Sequence, residues 1–211
     1  MHKYIIIGPQ GCGKGTQARL LCAEFDFVHI SIGDIFRWNM QHHTKLAARI
    51  RRIMDQGLLV PDDIVEQVVQ RRLTEHDWNY GFVLDGFPRT KAQAEYVFEH
   101  WNLDKAIYLD IPESIVFARV MRRAQIGDGA TFTKRADDNP EALKVRLREY
   151  HEKTAPLLDL FDKKEMLVKV DAQPPIEVVY QSVLDSLGLR RSKKPVDGVQ
   201  NYELAPSTTV S

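Results

Sequence analysis

The sequence predicts an α/β fold built on a doubly wound parallel sheet. Three observations carry this. Five short apolar runs, rich in Ile, Val, Leu and aromatics, recur without clean alternation, as strands covered on both faces do. Segments with helical start and stop residues separate them. The first run opens directly onto a glycine-rich turn, "GPQGCGKGT", residues 8–16.

The five runs are Tyr4–Ile7, Val28–Ile30, Phe82–Leu84, Ala106–Ile111 and Leu167–Val170. A helix is expected from Lys14 to Glu24, straight after the turn. Lys45 to Asp55 should end at Gly57, a natural stop. Asp62 to Leu73 begins with acids after Pro61, which suits a helix N-terminus. Lys91–Trp101, Glu113–Arg123, Glu141–Lys153 and Glu177–Leu187 complete the set. Asn139-Pro140 reads as a helix cap with proline in the first turn. Spacing alone leaves the strand order open.

Two stretches interrupt the alternation. Residues 31–75 hold too much helix for one crossover, and 124–139 are polar and glycine-containing. Both are expected to be insertions on a core. Residues 192–211 have little apolar content and no period, the composition of a disordered tail.

The 211 residues fit one core carrying small insertions. A formal net charge of zero gives no charge-driven argument for nucleic acid or an anionic membrane surface. No apolar run approaches the ~18–20 residues that span a bilayer, and no signal pattern opens the chain. Cys12 and Cys22 form no metal-spaced set, so a reduced, cytoplasmic setting is expected.

The turn at 8–16 carries the strongest chemistry. A glycine-rich turn between strand and helix aims successive backbone N–H groups at one point. The helix N-terminus adds its positive end, and Lys14 adds a mobile charge. That makes a polyphosphate site. Phosphate loops often place Ser or Thr directly after the lysine; here Gly15 intervenes and the hydroxyl falls on Thr16. Metal would then be held mainly through water. Cys12 reads as a small filler, with a reactive thiol as the alternative.

"LDGFPRT", Leu84–Thr90, follows the third strand, so Asp85 should reach the same sheet edge as the loop. An acid there can hold waters on Mg²⁺, and Arg89 offers a planar fork for phosphate. "SIGDIFR", Ser31–Arg37, brings Asp34 and Arg37 to that edge. Arg119 and Arg123 share a helix face at i, i+4. With Arg135 and Arg146 they could converge on one cleft that handles more than one phosphorylated ligand.

Together these segments resemble the adenylate kinase family. The likeness lies in "GPQGCGKGTQA", "SIGDIFR", "GLLVPDDIV", "LDGFPRTKAQAE", "RVMRR", "KRADDNPEALKVRLREYH" and "TAPLL", in the family's order over about residues 3–188. "DGFPR" alone should arise by chance in roughly one in ten thousand chains of this length. In this family the loop does read Gly-Lys-Gly-Thr.

The resemblance implies a P-loop NTPase-type three-layer α/β/α fold with a five-stranded parallel sheet, a monophosphate-binding insertion and a short lid. In domain terms it implies a core at 1–30, 76–122 and 140–191, an insertion at 31–75, a lid at 123–139 and a tail at 192–211. The implied reaction is Mg·ATP + AMP ⇌ 2 ADP, by a cytoplasmic monomer. Carried over, Gly11, Cys12, Gly13, Lys14, Gly15 and Thr16 would wrap the donor phosphates. Arg119 and the backbone at Pro174 would lie against the donor base. Arg37 and Arg89 would hold the acceptor phosphate. Gly86, Phe87, Pro88, Gln93 and the backbone of Leu58, Leu59 and Val60 would contact the acceptor nucleotide. Arg123, Arg135 and Arg146 would clamp phosphates, and Asp85 with Asp34 would orient the waters of Mg²⁺.

The chain departs from the family at Ile32, where Thr or Ser is usual and its hydroxyl faces the acceptor base. That bears on acceptor selectivity rather than activity. It leaves a UMP/CMP-type nucleoside monophosphate kinase as a second reading, and the unusual tail leaves a nucleotide-binding sensor without turnover as a third. The stretch 124–134 contains no cysteine, so no structural zinc is expected.

Overall fold

The computed structural model describes residues 1–125 and 138–191, with the side chains of 123–125 excepted. The predicted lid and tail therefore lie largely outside the described residues.

Five strands form one parallel sheet: β1 (His2–Ile7), β2 (Val28–Ser31), β3 (Gly81–Asp85), β4 (Lys105–Asp110) and β5 (Leu167–Asp171). Their order is β2-β3-β1-β4-β5. Each predicted apolar run is a strand, shifted by one or two residues at its ends. The central strand alternates between two cores. Ile5 and Ile7 face one cluster with Ile30, Phe82 and Leu84; Tyr4 and Ile6 face the other with Val83, Ile107 and Leu109. Ile5, Ile6, Phe82 and Leu84 are 1% exposed or less. Burying such a side chain contributes about 1.5–3 kcal/mol, which is why a doubly covered sheet needs apolar residues on both faces.

Helices cover both faces. The face containing Tyr4 and Ile6 carries α1 (Lys14–Phe25) and residues of the helix Glu113–Gln125, of Pro140–Glu149 and of Ile176–Leu187. The other carries α2 (Ile32–Gln41), α3 (Lys45–Asp55), α4 (Asp62–Glu75) and α5 (Lys91–His100). In chain order the remaining helices are α6 (Glu113–Gln125), α7 (Pro140–Glu149), α8 (Pro156–Asp162) and α9 (Ile176–Leu187).

Local chemistry fixes the helix starts. Thr44, Thr90 and Asn139 each accept a hydrogen bond from the backbone N–H three residues on, as good N-caps do. Gly57, just beyond α3, has φ +77°, the left-handed turn expected at its end.

Three features differ from the sequence reading. α2 begins directly at the end of β2, because Ser31 serves both as the last strand residue and as an N-cap accepting from the Asp34 N–H. The expected helix 141–153 stops as α-helix at Glu149 and continues as one wider turn, Tyr150–Thr154. α8 then follows from Pro156.

The connection after β1 leads leftward to β2, while that after β3 leads rightward to β4. The ends of β1 and β3 therefore flank a topological switch point, the crevice where open α/β sheets bind ligands.

Candidate functional site

The loop after β1 enters α1 through Gly13, at φ +107°. Glycine adopts that backbone freely and supplies no capping side chain, so first-turn N–H groups are left for a ligand. The Lys14 ammonium folds over the loop, donating to the Gly8 and Pro9 carbonyls at 2.6 and 2.8 Å. Cys12 is 2% exposed, with its sulfur 3.6 Å from the Lys14 nitrogen. It packs under the loop as a filler.

β3 delivers Asp85 to the same place. Its Oδ2 lies 3.3 Å from the point where a Cβ on Gly15 would sit. Burial would push this carboxyl up, yet His29, Lys14 and Arg89 together hold it down at about 2. His29 Nε2 stands 3.7 Å from Asp85 Oδ2, an ion-pair distance rather than a hydrogen bond. Asp34, one turn into α2, pairs with Arg37.

Arg89 is held from several sides. Its Nε donates to the Gly86 carbonyl at 2.9 Å. Its own carbonyl accepts from the Thr154 hydroxyl at 2.9 Å. Burial draws the guanidinium pKa down, Asp85 raises it, and the like charge of Arg37 lowers it. Two guanidiniums, one lysine and one ionised carboxylate thus meet at the crevice. Crowded cations of this kind are tolerated where an anion is to be bound.

Arg146, on α7, reaches back to the loop. Its Nη1 donates to Gln10 Oε1 at 2.9 Å and its Nη2 to the Met54 carbonyl at 3.4 Å. Gln10 in turn donates from Nε2 to Asp138 at 3.2 Å. At the far rim, Arg119 donates to the Cys12 carbonyl at 3.5 Å and to the Gln173 carbonyl at 3.1 Å, next to Pro174.

The structure places Lys14, Asp85, Arg119 and Arg146 around one loop, with Arg89 acting electrostatically on Asp85 and Arg37 on Arg89. Ile32 is 3% exposed at the start of α2, packed in the core cluster with Ile30 and Phe36. Leu58 is 40% exposed, while Val60 is buried. Gln93 is 1% exposed, and its amide is engaged with Asp62 and the Arg89 N–H. Phe87-Pro88 is a cis peptide between Gly86 and Arg89. Arg135 lies outside the described residues, as does the side chain of Arg123.

Four site residues were missed: Gln10, His29, Asp138 and Thr154. Gln10 and Asp138 stood inside quoted motifs, and Thr154 opened "TAPLL"; their partners, however, are distant in sequence. A cleft of about 770 Å³ is lined by residues including Leu59, Val60, Asp62, Thr90 and Leu157; it contains two residues of the expected acceptor site and none of the loop 8–16.

Known proteins similar in sequence belong to one family. The family model described as adenylate kinase matches residues 6–166. An adenylate kinase of Thermobifida fusca is 41% identical over 193 residues, covering 89% of this chain and 99% of the relative. One of Agathobacter rectalis is 39% identical over 212 residues, covering 88% and 99%. One of Lachnospira eligens is 38% identical over 212 residues, covering 88% and 100%.

Proposed function

The chain belongs to the adenylate kinase family, and from that premise we propose how its residues divide the work. The enzyme is an ATP:AMP phosphotransferase, catalysing ATP + AMP ⇌ 2 ADP and so keeping adenine nucleotides in balance.

The observation that carries the division of roles is the meeting of Lys14, Asp85 and Arg89 at the switch point. Residues 11–16 wrap the donor phosphates with backbone N–H groups, and Lys14 follows the transferring group. Arg89 and Arg37 hold the acceptor phosphate. Arg146 neutralises charge between the two, and Arg123 and Arg135 complete that clamp from the proposed lid at 123–139. Arg119 and the backbone at Pro174 seat the donor base. Gly86 to Arg89, Gln93 and the backbone of 58–60 seat the acceptor. The domain division given above, with the insertion at 31–75, is part of the same reading.

Phosphoryl transfer asks the protein for positioning and charge stabilisation rather than covalent chemistry. Two anions that repel each other must be brought in line, and the cations make that possible. Magnesium carried by ATP would add Lewis-acid charge neutralisation. Asp85 fits it: the carboxylate is ionised, buried beside the loop, and one acid among cations rather than a cage. Among the described residues no group of three or more His, Cys, Asp or Glu could hold a metal directly, so Asp85, with Asp34, would act through the ion's water shell.

A cytoplasmic monomer is the accompanying proposal; no described helix is long and apolar enough to cross a membrane. The test is a steady-state screen of AMP, CMP, UMP and GMP against Mg·ATP. AMP is expected to give the highest kcat/KM. A clear preference for CMP or UMP would withdraw the acceptor assignment and leave the phosphotransferase class.

A further inference from the structure

Gln93 is almost wholly covered, so the polarity of its amide is set by neighbours rather than by water. Nε2 donates to Asp62 Oδ1 at 2.6 Å, and Oε1 accepts from the Arg89 backbone N–H at 2.7 Å. Turning the amide over would set N–H against N–H and oxygen against carboxylate. Only one orientation satisfies both partners. The second oxygen of Asp62 accepts from the Thr90 hydroxyl at 2.9 Å. That hydroxyl oxygen accepts from the Gln93 N–H at 3.2 Å. One carboxylate in the first turn of α4 therefore fixes both the cap of α5 and the side chain of its third residue.

A primary amide offers two N–H groups and two lone pairs. Asp62 takes one N–H, and the Arg89 N–H takes one lone pair. What is left is one donor and one acceptor with fixed polarity. A 6-amino purine presents a donor at its exocyclic nitrogen and an acceptor at N1. A 6-oxo purine presents the reverse: an acceptor at O6 and a donor at N1. An amide free to turn over could read both; a locked one reads one.

We propose that Asp62 is a positioning residue that locks Gln93 and thereby makes the acceptor site select 6-amino over 6-oxo purine monophosphates. The inference rests on the proposed role of Gln93 at the acceptor base. It places part of the selectivity on a residue that touches Gln93 rather than the nucleotide, in the face of the hydroxyl missing at Ile32.

The experiment compares kcat/KM for AMP and IMP, with saturating Mg·ATP, in the wild-type enzyme and in Asp62→Asn, Asp62→Ser and Asp63→Asn. IMP differs from AMP only at the 6 position and the N1 proton. The wild-type enzyme should favour AMP by at least about tenfold, since a mispaired buried hydrogen bond carries that much discrimination or more. In Asp62→Ser, which withdraws the acceptor from Gln93, the AMP/IMP ratio should fall about tenfold, with IMP turnover rising relative to AMP, whereas Asp62→Asn keeps an acceptor oxygen for Gln93 Nε2 and should largely retain the ratio. Asp63→Asn removes a neighbouring charge from the same helical turn and should leave the ratio unchanged. A ratio within about twofold of wild type in Asp62→Ser, with kcat lowered equally for the two acceptors, would reduce Asp62 to a helix prop and overturn the proposal. Equal use of AMP and IMP by the wild-type enzyme would overturn it without any variant, while leaving AMP turnover standing. Absence of AMP turnover would instead overturn the acceptor reading on which it rests.

Discussion

Asp85 Oδ2 sits 3.3 Å from where a Cβ on Gly15 would lie, so the residue after the loop lysine and the acid of β3 share one space. That contact explains the glycine. A side chain at 15 would press on a carboxylate that is buried and faced by Lys14, Arg89 and the His29 ring. Gly15→Ser restores the more usual order of lysine then hydroxyl, yet should lower kcat by about tenfold, because Asp85 must shift by a few tenths of an ångström. The melting temperature should hold within a few degrees, since glycine inside a helix is itself unfavourable by about 0.5–1 kcal/mol. Steady-state kinetics beside a thermal melt separate the two effects; unchanged kcat would mean that the carboxylate position is not used.

Much of this site was legible because its charges sit at strand ends. A glycine-rich turn, an acid ending β3 and arginines in the loop after β3 and in the helix after β2 are local patterns, and parallel topology carries them to one edge. What was not legible depends on side chains meeting across elements. Asp62 and Gln93 are 31 residues apart, and Gln10 and Arg146 are 136 apart. No spacing rule pairs them. α2 was hidden because Ser31 ends a strand and caps a helix with no turn between them. α8, at seven residues, is too short to show a period.

Arg89, proposed above to hold the acceptor phosphate, is supported largely through its backbone. Thr154 and Gln93 hold the Arg89 carbonyl and N–H, which alanine keeps. Arg89→Ala should therefore leave circular dichroism unchanged while turnover falls about a thousandfold or more, in the range of cationic residues in phosphoryl transfer. Wild-type kcat in a folded variant would remove Arg89 from its assigned role.

The Asp85 carboxyl is held at about 2 in the folded protein, below the ~3.9 of an unfolded chain. An acid depressed in this way adds stability that is fully present above the unfolded value. The contribution is lost as pH falls from about 4 through about 2. Its size is on the order of 2 kcal/mol. Urea titrations at pH 5, 4 and 3 should show a steeper loss in the wild-type enzyme than in Asp85→Asn, which has no proton to take up. Parallel acid limbs in the two proteins would place the acid sensitivity elsewhere.

Gly57, just beyond α3, lies against α7 beside the site. Its φ is +77°, and a Cβ there would lie 2.8 Å from the Ala142 carbonyl and 3.3 Å from Arg146 Cγ. Gly57→Ala thus meets two penalties. The left-handed backbone costs an alanine about 1–2 kcal/mol, and the close contact pushes the end of α3 away from α7. The first lowers stability: at about 2–4 °C per kcal/mol for a chain of this size, the melting temperature should drop by several degrees. The second moves Arg146, which donates to Met54 on one side and Gln10 on the other. Turnover should therefore fall even at temperatures where the variant is fully folded. Measuring kcat well below the melting transition separates the two. A destabilised variant with wild-type kcat would show that Arg146 reaches the phosphates without the α3–α7 contact, and that Gly57 serves the fold alone.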